Sequence, residues 1–155
     1  MEKKDLKPAG VFKYFEEICQ VPRPSKKEEK MIAYLKAFGA KHNLETKVDE
    51  AGNVLIKKPA TPGKENLQTV VLQSHIDMVC EKNNDVQHDF LTDPIETEID
   101  GEWLKAKGTT LGADNGIGVA TELAILADDS IEHGPLECLF TVDEETGLTG
   151  AFALK

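Results

Sequence analysis

The chain has 155 residues, of which 40% are hydrophobic and 30% are charged, and this fits one globular domain with a sizeable core. Asp and Glu number 28 against 18 Lys and Arg, so the formal net charge at pH 7 is −10. Such an acidic protein repels phosphate backbones and anionic lipids, and we therefore expect neither nucleic acid nor a membrane as a partner.

Two helices and a strand pair are predicted in the first third of the chain. Apolar side chains at helical spacing predict a helix over 8–20, which Pro22 and Pro24 end. Ser25 followed three positions later by Glu28 has the pattern of a capping box, and it predicts a second helix that runs to about residue 42. Two short strands over 44–48 and 53–57 are then expected around a turn.

The rest of the chain alternates between apolar strands and helical segments. Residues 67–74 predict a buried strand that leads directly into His75, and the polar residues 81–94 predict a loop. The Asp-Gly pair at 100–101 predicts a hairpin of strands 95–99 and 103–105. A helix over 115–127, a strand over 136–142 and the start of a helix over 150–155 should follow. This order predicts an α/β fold with a mixed sheet sandwiched by helices.

Cysteine usage and the N-terminus bear on the cellular compartment. Cys19, Cys80 and Cys138 are an odd number at wide spacing, which indicates reduced, partly buried thiols. The first ten residues lack the apolar segment of a signal peptide, and no apolar run approaches membrane-spanning length. We expect a cytoplasmic protein.

A histidine and an aspartate follow the predicted strand 67–74. In extended backbone, residues two apart face the same side, so His75 and Asp77 can form a pair. A histidine that binds a metal usually gives its other ring N–H to a carboxylate or a carbonyl, which orients the ring. By itself, the pair also fits an ordinary surface or cap contact.

Asp114 lies in a glycine-rich stretch, 108–118, whose glycines permit close backbone approach and positive φ angles. Since Asp114 falls where the helix 115–127 should begin, it is either an ordinary helix cap or a metal ligand whose two oxygens can span two cations. The glycine spacing matches neither a dinucleotide-binding motif nor a P-loop, so it does not predict a nucleotide site.

Three acids, Asp143, Glu144 and Glu145, follow the predicted strand 136–142. Their mutual repulsion must be relieved by solvation or by a cation. Because adjacent side chains in extended backbone point apart, one glutamate can bind a metal while the other reaches a water molecule as a base. A solvated strand end is the alternative.

These three elements should meet, because ligand sites in open α/β sheets gather at the carboxyl ends of strands. Imidazole and carboxylate ligands without thiolate suit Zn²⁺, Mn²⁺ or Co²⁺ in a hydrolytic site. The residues by themselves therefore favour metal-dependent hydrolysis.

The same motifs, in the same order, resemble the Xaa-His dipeptidases, also called aminoacyl-histidine dipeptidases or bacterial carnosinases. This is a subfamily of the dinuclear zinc peptidases that include aminoacylase and the glutamate carboxypeptidases. The resemblance runs from the first helix to the last residue. The segments that carry it are SHIDMV, KNNDVQHDF, DPIETEIDGEWLKAKGTTLGADNGIG and TVDEETGLTGA.

The resemblance implies a role for each candidate residue. His75 would bind one Zn²⁺, and Asp77 would orient its imidazole. Asp114 would bridge two Zn²⁺ ions, with a cis peptide bond to Asn115. Glu144 would be the general base toward a water activated between the two ions, and Glu145 would bind the second Zn²⁺. The reaction would be hydrolysis of dipeptides, preferably with a C-terminal histidine, and Co²⁺ or Mn²⁺ could replace zinc.

Family members are longer than this chain. The resemblance implies that residues 1–155 are the N-terminal part of the catalytic domain and are inactive alone. A further acidic ligand, a final histidine and a lid domain that pairs two subunits would then come after Lys155. Two alternatives stay open, namely another amidohydrolase such as an aminoacylase or a tripeptidase, and a non-catalytic α/β module. The acidic set favours an enzyme, because its repulsion costs stability when no cation is bound.

Overall fold

The computed structural model describes residues 2–154. No helix in this range is long and apolar enough to cross a membrane. After a short 3-10 helix at Lys3–Asp5, the elements in chain order are α1 (Ala9–Cys19), α2 (Glu29–Lys41), β1 (Glu45–Val48), β2 (Val54–Lys58), β3 (Val70–His75), β4 (Thr97–Asp100), β5 (Trp103–Ala106), α3 (Ala113–Ala127), β6 (Leu136–Thr141) and α4 (Thr149–Phe152).

The main sheet has the strand order β1-β2-β6-β3, and β4 and β5 form a separate hairpin. β1 pairs with β2, and β2 with β6, in antiparallel orientation, whereas β3 and β6 are parallel. The sheet is therefore mixed, which confirms the predicted fold class. In the β3–β6 register His75 lies opposite Thr141, so the carboxyl ends of these two strands coincide. The segments that follow them leave the sheet side by side.

The core lies between the long helices and one face of the sheet. Along β2 and β6 buried residues alternate with half-buried ones, as expected for strands with one covered face. α3 packs against both α1 and β3. The largest fully buried side chains come from the helices and from this sheet face, and they include Phe15, Ile18, Met31, Leu35, Ile56, Leu123 and Phe140. This packing gives the carboxyl ends of β3 and β6 a rigid base.

Most of the predicted elements are present, with boundaries shifted by one to three residues. The loop 81–94 contains no helix or strand, and Cys19, Cys80 and Cys138 are free thiols, as predicted. The helix predicted over 150–155 corresponds to α4, while Lys155 lies outside the described residues.

The predicted capping box at Ser25 and Glu28 is wrong. α2 begins at Glu29, and its N-cap residue, Glu28, makes no side-chain capping hydrogen bond. Both side chains have tertiary partners instead. Ser25 Oγ donates to Asp77 Oδ2 at 2.7 Å, and Glu28 Oε1 accepts from the backbone N–H of Asp143 at 2.9 Å. The two residues therefore join the start of α2 to the segments that follow β3 and β6.

The prediction that the strand before His75 is buried holds only for its carboxyl end. Ser74 and His75 are buried, whereas Val70 and Val71 are exposed. The reason is topological, because β3 is an edge strand of the main sheet. An apolar run in the sequence does not distinguish an edge strand from a central one.

α3 carries one acid into the core. Glu122 is 4% exposed, and its Oε2 has no hydrogen-bond partner among the described residues. Burial raises the pKa of this carboxyl to about 7, although the neighbouring Ser74 and Cys138 side chains partly oppose the rise. Glu122 is therefore neutral in the folded protein over a pH range in which an exposed glutamate is ionised.

Because of this raised pKa, we expect E122Q to become more stable than the unmodified protein as the pH rises. Below the ordinary glutamate pKa of 4.5, Glu122 is protonated in both the folded and the unfolded state. Between that pH and about 7, only the unfolded state loses the proton, so the unmodified protein loses stability, and the loss is constant at higher pH. Urea unfolding at pH 4.5 and pH 8 should show a relative gain for E122Q of up to about 3 kcal/mol.

The control is E98Q, which changes an exposed glutamate of β4 in the same way. The difference in the free energy of unfolding between E98Q and the unmodified protein should be the same at both pH values. If the difference in the free energy of unfolding between E122Q and the unmodified protein does not change with pH, the raised pKa of Glu122 is contradicted.

Candidate metal centre

The backbone brings three separated segments to one end of the sheet. His75 is the last residue of β3, and Glu144 and Glu145 follow the end of β6 closely. Asp114 lies at the start of α3, after Gly112 in a left-handed turn with φ 69°. Asp114 and Asn115 have non-helical backbone angles, and the peptide bond between them is cis, as the resemblance implied.

The side chains of these segments converge. One ligand atom from each of His75, Asp114 and Glu145 lies within 4.8 Å of the other two. His75 Nε2 lies 3.1 Å from Asp114 Oδ1 and 3.8 Å from Glu144 Oε2. The Asp114 carboxylate faces His75, and among the described residues it accepts no hydrogen bond from a backbone N–H group. The geometry therefore favours a ligand role for Asp114 over a helix-capping role.

Asp77 connects the segment after β3 to the segment after β6. Its side chain is fully buried, and its Oδ1 lies 3.3 Å from His75 Nδ1. The backbone N–H groups of Glu144 and Glu145 donate to the same carboxylate at 3.0 and 3.2 Å. Asp77 thereby contacts the imidazole ring and the backbone of both glutamates at the same time.

The electrostatic state of the site follows from this crowding. Burial alone would lower the pKa of His75, but hydrogen bonds to Asp77 and Asp114 raise it to about 9. For Asp77, burial acts to raise the pKa, but the hydrogen bonds from His75, Glu144 and Ser25 outweigh it and hold the pKa well below its usual range. Burial raises the pKa of Glu145, as do the charges of Asp114 and Glu144.

This donor set fits a divalent cation. A neutral imidazole nitrogen and carboxylate oxygens are ligands that Zn²⁺, Mn²⁺ and Co²⁺ accept, and a cation would relieve the repulsion among the acids. The Asp114 side chain is 86% exposed, so the ligand side of the site is open. On the opposite side, the buried Asp77 side chain contacts Nδ1 of the His75 ring and covers it from solvent.

Further side chains support these segments, and no sequence pattern predicts this role for them. Besides Ser25 and Glu28, Asp143 accepts hydrogen bonds from the hydroxyls of Thr146 and Thr149, both at 2.6 Å. Asp143 therefore stabilises the turn after β6, which begins at its own positive φ of 49°. Only its position in a run of three acids marked this residue in the sequence.

Comparison with known proteins assigns the chain to a family. Residues 71–154 match Peptidase family M20/M25/M40. The chain belongs to this peptidase family. The matched range contains His75, Asp77, Asp114, Glu144 and Glu145.

Individual relatives agree with this assignment. The chain is 52% identical to the cytosol non-specific dipeptidase of Escherichia coli over 154 residues, which cover 99% of this chain and 32% of that protein. It is similar to the aminoacylhistidine dipeptidase structure from Vibrio alginolyticus, with a TM-score of 0.96 and 55% identity over 100% of this chain and 32% of the other. For aminopeptidase PepT from Bacillus cereus the TM-score is 0.78, with 26% identity over 94% of this chain and 39% of that structure. The chain thus spans about a third of the length of the first two relatives.

Proposed function

We propose that residues 1–155 form the N-terminal part of the catalytic domain of a metal-dependent dipeptidase. The observation that carries this proposal is the convergence of His75, Asp114 and Glu145 within 4.8 Å in a member of Peptidase family M20/M25/M40. Support for a partial domain comes from relatives of which the chain covers only 32%. The remaining metal ligands and a lid domain would then lie in sequence beyond this chain.

In this proposal His75, Asp114 and Glu145 would hold a pair of Zn²⁺ ions, with Co²⁺ or Mn²⁺ as substitutes. When bound, the ions supply Lewis acidity toward the scissile carbonyl and lower the pKa of water. Asp77 keeps His75 in the tautomer whose Nε2 is free to bind, because it occupies the Nδ1 side of the ring.

Glu144 is the proposed general base. Its side chain is 34% exposed, and its Oε2 lies 3.8 Å from His75 Nε2, so it faces the ligand side of the site. Its own backbone N–H is held by Asp77. Glu144 would take a proton from the attacking water and later transfer it to the leaving amine.

Substrate, partners and location are proposed from the relatives. Two of their names describe dipeptidases, and one of these describes an aminoacylhistidine dipeptidase, which supports dipeptides with a C-terminal histidine as substrates. The name of the Escherichia coli relative also supports a cytoplasmic location. We further propose that the full-length protein is a homodimer through the lid domain and has neither nucleic acid nor a membrane as partner.

The test is to assay the full-length product of the gene that encodes this chain, loaded with Zn²⁺, against Xaa-His dipeptides, tripeptides and N-acyl amino acids. Dipeptides with a C-terminal histidine should be hydrolysed fastest. E144Q should lower kcat about 10²- to 10⁴-fold, the range for loss of a general base. The control E137Q changes a glutamate of β6 that pairs with Lys57, and it should leave kcat unchanged.

Preference for tripeptides or N-acyl amino acids would replace the dipeptidase assignment with another activity of the same superfamily. No turnover of any of these substrates by the Zn²⁺-loaded protein would favour a non-catalytic module.

A further inference from the structure

A buried arginine lies behind the candidate metal centre. Arg23, in the segment between α1 and α2, is 2% exposed. Its Nη1 donates to the carbonyl oxygens of Ile76 and Asp77 at 3.1 and 3.4 Å, and its Nη2 donates to the carbonyl of Gly112 at 2.7 Å. One guanidinium group therefore contacts both the segment that follows His75 and the turn that precedes Asp114.

Two glycines make room for this guanidinium. A Cβ atom on Gly112 or on Gly116 would lie 2.7 Å from Arg23 Nη2, which is too close for ordinary packing. The start of α3 can approach Arg23 this closely only because Gly112 and Gly116 have no side chains. The close approach is a property of the fold, since Arg23 and Gly112 are 89 residues apart in sequence.

The backbone of Arg23 is attached to the same segment as its side chain. The N–H of Met78 donates to the Arg23 carbonyl oxygen at 3.1 Å, and Pro24 and Met78 form an isolated parallel bridge. The arginine is thus anchored beside residues 76–78 by its main chain, and its side chain reaches across to Gly112.

We infer that Arg23 is a positioning residue that sets the separation between His75 and Asp114. The Asp77 carbonyl that accepts from Arg23 Nη1 also lies 3.1 Å from His75 Nδ1, so the arginine fixes one of the groups that orient the imidazole. Arginine suits this task better than lysine, because its planar fork of donors contacts several acceptors at fixed angles. The Zn²⁺-affinity test of this inference rests on the proposed metal site, whereas the test by the NMR signals of His75 does not.

The experiment compares R23M with K58M in the full-length product of the gene that encodes this chain. Lys58 is a matched control, because it is 8% exposed and its Nζ also donates to backbone carbonyls, those of Ile125 and Asp128. These acceptors belong to the opposite end of α3 from Asp114. Both variants remove a buried cation and its hydrogen bonds, and both should lower the melting temperature.

Only the arginine variant should affect the metal site. Competition with a chromophoric chelator should show Zn²⁺ affinity about 10- to 100-fold weaker for R23M, the range for loss of an interaction that orients a ligand. K58M should bind Zn²⁺ as tightly as the unmodified protein. The Co²⁺ absorption spectrum should change in R23M and not in K58M. R23K keeps the positive charge but not the planar guanidinium group. Its Zn²⁺ affinity should lie between those of R23M and K58M, and this variant tests the inference if R23M does not fold.

A second readout needs no metal. The imidazole ¹⁵N signals of His75, assigned with H75Q, should shift in R23M and R23K and stay in place in K58M. If the unmodified full-length protein binds no Zn²⁺, the proposed function fails, and these signals alone decide the role of Arg23. His75 signals and Zn²⁺ affinity in R23M and R23K that match those of K58M would overturn the inference and make Arg23 a residue of stability only.

Discussion

We expect the H75Q variant to bind Zn²⁺ about two orders of magnitude more weakly than the unmodified protein. Among the described residues that converge at the site, His75 supplies the nitrogen donor, and the other two donors are carboxylates. Structural zinc sites with four ligands contribute about 10 to 16 kcal/mol, so one ligand accounts for roughly 3 kcal/mol. That difference is about a hundredfold in the dissociation constant. Chelator competition at pH 7 measures it directly.

The matched control is H133Q, which changes another buried histidine in the same way. His133 Nδ1 contacts the Gly134 carbonyl just before β6, at the end of that strand opposite Thr141. H133Q should therefore bind Zn²⁺ as tightly as the unmodified protein. Equal affinities for H75Q and H133Q would show that zinc binds elsewhere, and the proposed metal centre would be wrong.

The largest loss of stability is expected for D77A, which should lower the free energy of unfolding by about 3 to 5 kcal/mol. The Asp77 carboxylate is fully buried and accepts from the backbone N–H groups of Glu144 and Glu145 and from the Ser25 hydroxyl. It also faces His75, whose raised pKa of about 9 keeps the ring protonated at pH 7 when no metal is bound. Alanine would leave these donors without their acceptor and would remove the carboxylate beside Nδ1 of the His75 ring.

Urea unfolding at pH 7 with a chelator present measures this loss, and D100A is the control. Asp100 forms an exposed pair with Lys105 in the β4–β5 hairpin, so its removal should cost no more than about 1 kcal/mol. The deficit of D77A should also depend on pH. Because the folded-state pKa of Asp77 is depressed, its stabilisation is complete above the ordinary aspartate pKa of 3.8 and is lost as the pH falls below it. If D77A lowers the free energy of unfolding by no more than D100A does, the buried hydrogen bonds of Asp77 do not stabilise the fold as proposed.

Local patterns in the sequence were sufficient for much of the fold. The apolar periodicity of α1 and of β6, and the Asp-Gly turn of the hairpin, depend on residues close to one another in the chain. The pairing of His75 with Asp77 was also local, because residues two apart in extended backbone face the same side. The resemblance to Xaa-His dipeptidases then supplied a role for each acid, and family membership is now shown by the match over residues 71–154.

The sequence by itself determined the type and order of the secondary structure elements and the chemical nature of the candidate ligands. Only the tertiary structure decided what depends on contacts distant in sequence. Ser25 looked like a helix cap, yet its hydroxyl contacts Asp77, 52 residues away. Arg23 gave no signal at all, because its acceptors are backbone carbonyls, which every residue has and no sequence pattern reveals. The exposure of Val70 and the burial of Glu122 have the same cause, since burial follows from the position of a strand or helix in the fold.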